Sequence, residues 1–104
     1  MSLIDKLAQR ALLFAPNLLP QMFPDGKRRG NMFIIESVRF GAEGRLTINL
    51  DTGGWVDRHR TKRQWHSGRD LVDLISFQRD LNRVDAGELL VGVLTAGAAT
   101  GWFV

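Results

Sequence analysis

The stretch from Arg58 to Arg69, RHRTKRQWHSGR, gathers the side chains best suited to hold a ligand. Arg58, Arg60, Lys62, Arg63 and Arg69 can each neutralise a phosphate, and such contacts give an affinity that weakens with salt. Trp65, set among them, can stack on an unpaired base for about 1–3 kcal/mol, or it can plug the core beneath the loop. Thr61, Gln64 and Ser67 add hydrogen-bonding groups. A second run of cations, Lys27-Arg28-Arg29, extends the track if its turn lies beside this loop, and is otherwise a solvated turn. The chemistry on offer is recognition of an anionic polymer.

Other chemistries lack their residues. With no cysteine in the chain, disulfides and thiolate metal sites are excluded, which fits a reducing cytoplasm. His59 and His66 stand seven apart with only Asp57 and Asp70 nearby, a poor ligand set for zinc, so both read as surface or groove-lining histidines. Gly26-Lys27 and Gly68-Arg69 lack the spacing of a phosphate-cradling loop. No serine stands in a nucleophile elbow, and no pair of acids is spaced for acid–base work. The chain by itself is therefore expected to be non-catalytic and to carry neither cofactor nor metal.

Length and composition agree with one globular domain: 104 residues, 44% hydrophobic and 24% charged. No apolar run approaches a membrane span. Net charge is +3, but it is divided unevenly. Residues 1–69 hold 12 Lys/Arg against 6 Asp/Glu, whereas residues 70–104 hold 2 against 5. The basic part suggests nucleic acid as partner.

The elements that must position these groups follow from hydrophobic spacing. Ser2 caps an amphipathic helix to Phe14, with Leu3, Ile4, Leu7, Ala8, Ala11 and Leu12 on one stripe. Pro16, Pro20 and Pro24 predict an extended connector after it. Residues 31–58 predict a three-stranded antiparallel meander. Its clearest strand is Arg45 to Leu50, where Leu46, Ile48 and Leu50 alternate with Arg45, Thr47 and Asn49. Gly41 and Gly44 bracket one turn, Asp51-Thr52-Gly53-Gly54 forms the next, and Trp55 starts a strand with its ring in the core. Residues 59–69 form the basic loop. Residues 70–95 predict two helices. The first is capped by Ser67 or Asp70, carries Leu71, Leu74, Ile75, Gln78 and Leu81 on its stripe, and ends at Asn82. The second is capped by Asp85 and buries Leu89, Leu90, Val93 and Leu94. A tail, residues 96–104, ends in Trp102-Phe103-Val104 and either packs back or meets a partner. The fold class is α+β.

Phe33-Ile34-Ile35, Leu46-Thr47-Ile48-Asn49-Leu50, Asp51-Thr52-Gly53-Gly54-Trp55 and Gly68-Arg69-Asp70-Leu71-Val72-Asp73-Leu74-Ile75 resemble, in order and spacing, the N-terminal zinc-ribbon domain of bacterial, phage and plasmid DNA primases. Leu19-Pro20, Gly30-Asn31-Met32-Phe33 and Asp85-Ala86-Gly87-Glu88-Leu89-Leu90 fit the same pattern, so the resemblance covers roughly residues 15–94. The family's Cys-Pro-x-His knuckle falls near Ile35 to Phe40 and its Cys-x-x-Cys knuckle within Asp57 to His66; neither holds a cysteine, and Gly-Gly-Asp has become Gly68-Arg69-Asp70. The chain is most similar to a cysteine-free variant found in plasmid- and phage-type primase-helicases. The resemblance implies a zinc-ribbon-like, metal-free domain that contacts single-stranded template DNA during replication of a phage, plasmid or other mobile element.

Three roles are compatible with these observations: a single-stranded DNA-binding module, a protein-interaction module whose C-terminal helices and tail dock a replication or host protein, and the recognition part of a longer primase. Without thiolates, the two knuckles must be tied by something other than zinc, with Phe33, Phe40, Trp55, Trp65 and the N-terminal helix as candidates. The thermal melt is accordingly expected to be unchanged by EDTA; a melt lowered by EDTA and restored by zinc would overturn the metal-free reading.

Overall fold

A computed structural model describes residues 2–96, with side chains through residue 92. Helix α1 spans Leu3–Met22 and begins with a full capping box, in which the Ser2 hydroxyl accepts from Asp5 N at 3.0 Å. It continues through Pro16 and Pro20, contrary to the expected break at Phe14. A proline inside a helix costs about 3 kcal/mol through its missing N–H and its ring clash. Here both prolines lie on the water side, four residues apart, so the carbonyls they leave without a donor can be hydrated. The opposite side buries Ala11, Ala15, Leu18, Leu19 and Met22, and that burial outweighs the cost.

Five antiparallel strands follow in sequence order across one sheet: β1 (Lys27–Arg29), β2 (Met32–Ser37), β3 (Gly41–Asn49), β4 (Trp55–His59) and β5 (Trp65–Gly68). The meander thus has two strands more than expected. Lys27–Arg29 and Trp65–Gly68 lack the apolar alternation that marks a half-buried strand, but each pairs along a stronger neighbour. The turn between β2 and β3 also differs. It falls at Val38–Phe40, because the Ser37 hydroxyl accepts from Arg39 N and Phe40 N, and Gly41 to Gly44 belong to β3.

Helices α2 (Leu71–Arg79) and α3 (Arg83–Ala96) join α1 on one face of this sheet. That face carries Phe33, Leu46, Ile48 and Trp55, all buried, with Ile35 packed against them. Trp55 is 4% exposed, the core position expected of it. Its ring passes over Gly68, where a Cβ would lie 2.5 Å from the indole, and its Nε1 donates to Asp70 O at 3.1 Å. Gly68 is therefore the residue that lets the sheet reach the start of α2. Helix α2 ends at Arg79, not Asn82, with Asp80 in the left-handed conformation (φ 56°). The cap of α3 is Asn82, whose Oδ1 accepts from Asp85 N at 2.8 Å; Asp85 lies inside the first turn. On α3, Ala86 and Leu90 are buried while Leu89 is exposed, so the buried stripe is rotated from the expected one. Val93 and Leu94 side chains, and the tail from residue 97, lie outside the described residues.

The three helix starts meet at one ion cluster. Arg83, opening α3, binds Asp5 of α1 (3.1 Å), the α2 cap Asp70 (2.7 Å) and Asp73 (2.5 Å). The carboxylates also sit at helix N-termini, where the dipole favours negative charge. Hydrogen bonds from Ser2 first, then Arg83, lower the pKa of Asp5. For Asp70, burial is the largest single influence and pushes the pKa upward, but Arg83, the Asp73 amide and Arg69 together outweigh it and leave it lowered. Arg83 is raised, above all by its bond to Asp70. Carboxylates with lowered folded pKa values stabilise the fold above their unfolded pKa, and that stability is lost as pH falls through the folded values. Stability should therefore stay level from about pH 5 upward and fall below about pH 4. Arg83→Met should cost about 1–3 kcal/mol at neutral pH and reduce this acid dependence, as read by urea melts across pH. An unaltered pH profile in the variant would show that the cluster does not carry it.

Candidate nucleic-acid interface

Residues directly opposite one another in an antiparallel sheet share a face. The strand registers therefore sort the side chains without ambiguity. On the face turned away from the helices, one row runs Glu36, Arg45, Arg58, Trp65 across β2 to β5. The next runs Lys27, Ile34, Thr47, Val56, Ser67, and a third runs Arg29, Met32, Asn49. Trp65 is 58% exposed and Val56 is 36% exposed, so apolar surface lies open between cations. Of the two readings of Trp65, core plug or open platform, the structure has the open one.

Two open grooves cross this face. One, of about 620 Å³, is lined by Lys27, Arg29, Arg45 and Arg60 together with Asp25 and Glu36. The other, of about 670 Å³, is lined by Arg45, Arg58, Met32, Val56, Thr47 and Asn49, among others. Arg45 borders both, so the grooves are continuous. Among the described residues, Lys27, Arg29, Arg45, Arg58, Arg60, Lys62 and Arg63 have no carboxylate within ion-pair distance. Their charge is left for an external anion.

The loop carrying Arg60, Lys62 and Arg63 is held from beneath by His59. The expectation of a surface histidine fails here: His59 is buried, with its Nδ1 accepting from Thr61 N (3.2 Å) and Lys62 N (3.1 Å) and its Nε2 facing Glu43 Oε2 at 3.4 Å. Two backbone donors on Nδ1 place the ring proton on Nε2. His59 N donating to Gln64 O (2.9 Å) and Arg60 N to Glu43 O (2.8 Å) close the loop at its base. His66 is exposed, as expected, but packs between Phe40 (6.1 Å) and Phe77 (4.9 Å).

These contacts join the two turns at which the resemblance places metal knuckles. The Phe40 ring meets His59 edge-on at 5.2 Å, and Arg39 N donates to Asp57 Oδ2 at 3.0 Å. Asp57 is fully buried and its Oδ1 has no hydrogen-bond partner among the described residues, so this tie carries a desolvation cost. Of the four aromatics proposed as replacements for a metal, Phe40 takes part in the tie, Phe33 and Trp55 are in the core, and Trp65 faces outward. Among the described residues no group of three or more His, Cys, Asp or Glu could hold a metal ion.

Two of the nine sequence-predicted residues lie elsewhere. Arg69 is drawn into the acid cluster, 3.6–3.8 Å from Asp5, Asp70 and Asp73. Arg28 shares the Phe33 side of the sheet, its Nε donating to Gly30 O at 3.0 Å. The other seven are assembled: Lys27, Arg29, Arg58 and Trp65 on the open face, and Arg60, Lys62 and Arg63 in the loop at its end. Arg45, Asn49, Met32, Val56 and His59 were not foreseen as site residues. The alternation of Arg45, Thr47 and Asn49 was the available signal for the first two. Comparison with protein-family models, curated proteins and solved structures finds no match.

Replacing His59 by Ala removes the acceptor for two loop amides. Amide exchange at Thr61 and Lys62 is expected to accelerate, and overall stability to fall by about 1–3 kcal/mol. Unchanged protection of those two amides would mean that the loop is held by something else.

Proposed function

We propose that this domain binds single-stranded DNA across the open face of its sheet. The observation that carries the reading is the convergence on one uncovered face of Trp65 and of cations with no acidic partner among the described residues. Phosphates would lie along Lys27, Arg29, Arg45 and Arg58 and continue to Arg60, Lys62 and Arg63 at the β4–β5 loop. An unpaired base would stack on Trp65, and Val56 and Met32 would accept base surface between the charges. A broad sheet face with exposed apolar groups suits splayed single strands, whose bases are free to stack, better than a duplex, whose bases are already stacked and whose major groove is entered by a projecting helix or ribbon.

The primase resemblance supports the same role: a non-catalytic, metal-free template-contacting domain acting in the cytoplasm in replication of a phage, plasmid or other mobile element, alone or as part of a longer primase. No helix among the described residues is long and apolar enough to cross a membrane. A second reading, docking of a replication protein, is favoured by Val84, Leu89 and Val91, which α3 leaves exposed.

Anisotropy titration of a labelled oligo-dT separates the two. Binding should be micromolar or tighter at low salt and weaken as salt rises. Arg45→Ala and Arg58→Ala should each lower the salt slope by about 0.7. Trp65→Ala should weaken binding about 5- to 150-fold, from a stacking energy of about 1–3 kcal/mol. Arg69→Ala should leave affinity nearly unchanged, and none of the three open-face variants should lower the melting temperature. Absence of binding at low salt would leave the protein-docking reading.

A further inference from the structure

On that reading, the larger groove does more than hold a strand. We infer that it selects one base by its carbonyl oxygen, through Asn49. The side-chain amide of Asn49 is not free to choose its role. Its Oδ1 accepts from Asp51 N at 2.8 Å and Thr52 N at 3.1 Å, the turn that closes β3 onto β4. Both acceptor sites of that oxygen are thereby filled, and the amide orientation is fixed. The Nδ2 group has no hydrogen-bond partner among the described residues, and it borders the groove that contains Met32, Thr47, Val56 and Ser67. Asn49 is thus a donor-only group beside an apolar floor.

This determines what it can read. An unconstrained Asn recognises adenine by donating to N7 while accepting from the N6 amino group. With Oδ1 occupied, the second half of that pair is lost. A base edge that offers an exocyclic carbonyl is matched instead, and thymine presents two such oxygens while adenine has none. The Thr47 and Ser67 hydroxyls can serve as either donor or acceptor, so they impose no opposing choice. Arg45 and Arg58 on the groove margin hold the flanking phosphates and neutralise charge without discriminating bases. Base selection and backbone affinity are therefore separable in this groove.

Asn49→Asp tests the assignment because Asp keeps the oxygen that accepts the two turn amides and removes the donor. Oligo-dT and oligo-dA of equal length are titrated against both proteins at one salt concentration. The wild-type protein should favour oligo-dT about tenfold, the order of one hydrogen bond. In the variant the added negative charge should weaken both oligonucleotides, and the dT-to-dA ratio should fall toward one. A ratio unchanged by the substitution, or a wild-type protein without preference, overturns base selection while leaving strand binding intact. No binding of either oligonucleotide overturns the strand-binding reading as well. If the variant does not fold, the Asn49 side-chain amide resonances of the wild-type protein decide the matter: they should shift with oligo-dT and stay in place with oligo-dA, and equal shifts would overturn the proposal.

Discussion

All three helices press on the same side of a five-stranded sheet, and everything else about this small domain follows from that asymmetry. One face is spent on the core, where Phe33, Leu46, Ile48 and Trp55 meet α1, α2 and α3. The other face has nothing on it among the described residues, so its side chains must satisfy water or a ligand. A strictly solvated face would pair its charges or keep its apolar groups small. This one keeps Trp65 and Val56 open beside Arg45 and Arg58, without acids to balance them except Glu36 at the second strand. Charge and aromatic surface that the fold itself does not use are what an anionic, partly apolar partner needs.

Two cross-links keep the covered side in place. At one, Arg83 gathers the N-terminal turns of α1 and α2 to its own helix, placing cation and helix dipoles against the same three carboxylates. At the other, an aromatic chain runs from Phe40 through His66 and Phe77 to Trp55, with Phe77 and Trp55 5.1 Å apart and the Arg39 guanidinium over the Phe77 ring at 4.6 Å. This chain connects the β2–β3 turn, the edge strand β5 and helix α2. Stacked rings and buried hydrogen bonds can thus join the two turns at the end of the sheet that carries the basic loop.

Much of this was legible in the sequence, and the failures have physical causes. The alternation of Arg45 to Leu50 identified β3 and even its outward residues, because a strand with one buried face writes its period directly. The capping box at Ser2 and Asp5 identified the start of α1. Its end was misread, since proline is a local signal while burial of Leu18, Leu19 and Met22 is a tertiary one. Edge strand β5 was read as loop because Trp65-His66-Ser67-Gly68 has no alternation of its own and is held by β4. The cations of the site were visible as composition. Which of them act together was not, because that depends on which face the helices cover. Arg69 looked like its neighbours in sequence and lies instead within reach of three aspartates. The role of His59 was hidden for the same reason: its burial follows from the path of the loop that it supports.

The central claim is that the ligand surface is the uncovered sheet face and not a helix. Backbone and indole chemical-shift mapping of the ¹⁵N-labelled protein during titration with a short oligo-dT tests it most directly. The account predicts shifts concentrated at Arg45, Thr47, Val56, Arg58 and the Trp65 indole, extending to Arg60–Arg63, with α1 and α3 little affected. Shifts confined to the exposed helix residues Leu13, Phe14, Val84 and Leu89, with the open strands silent, would contradict it.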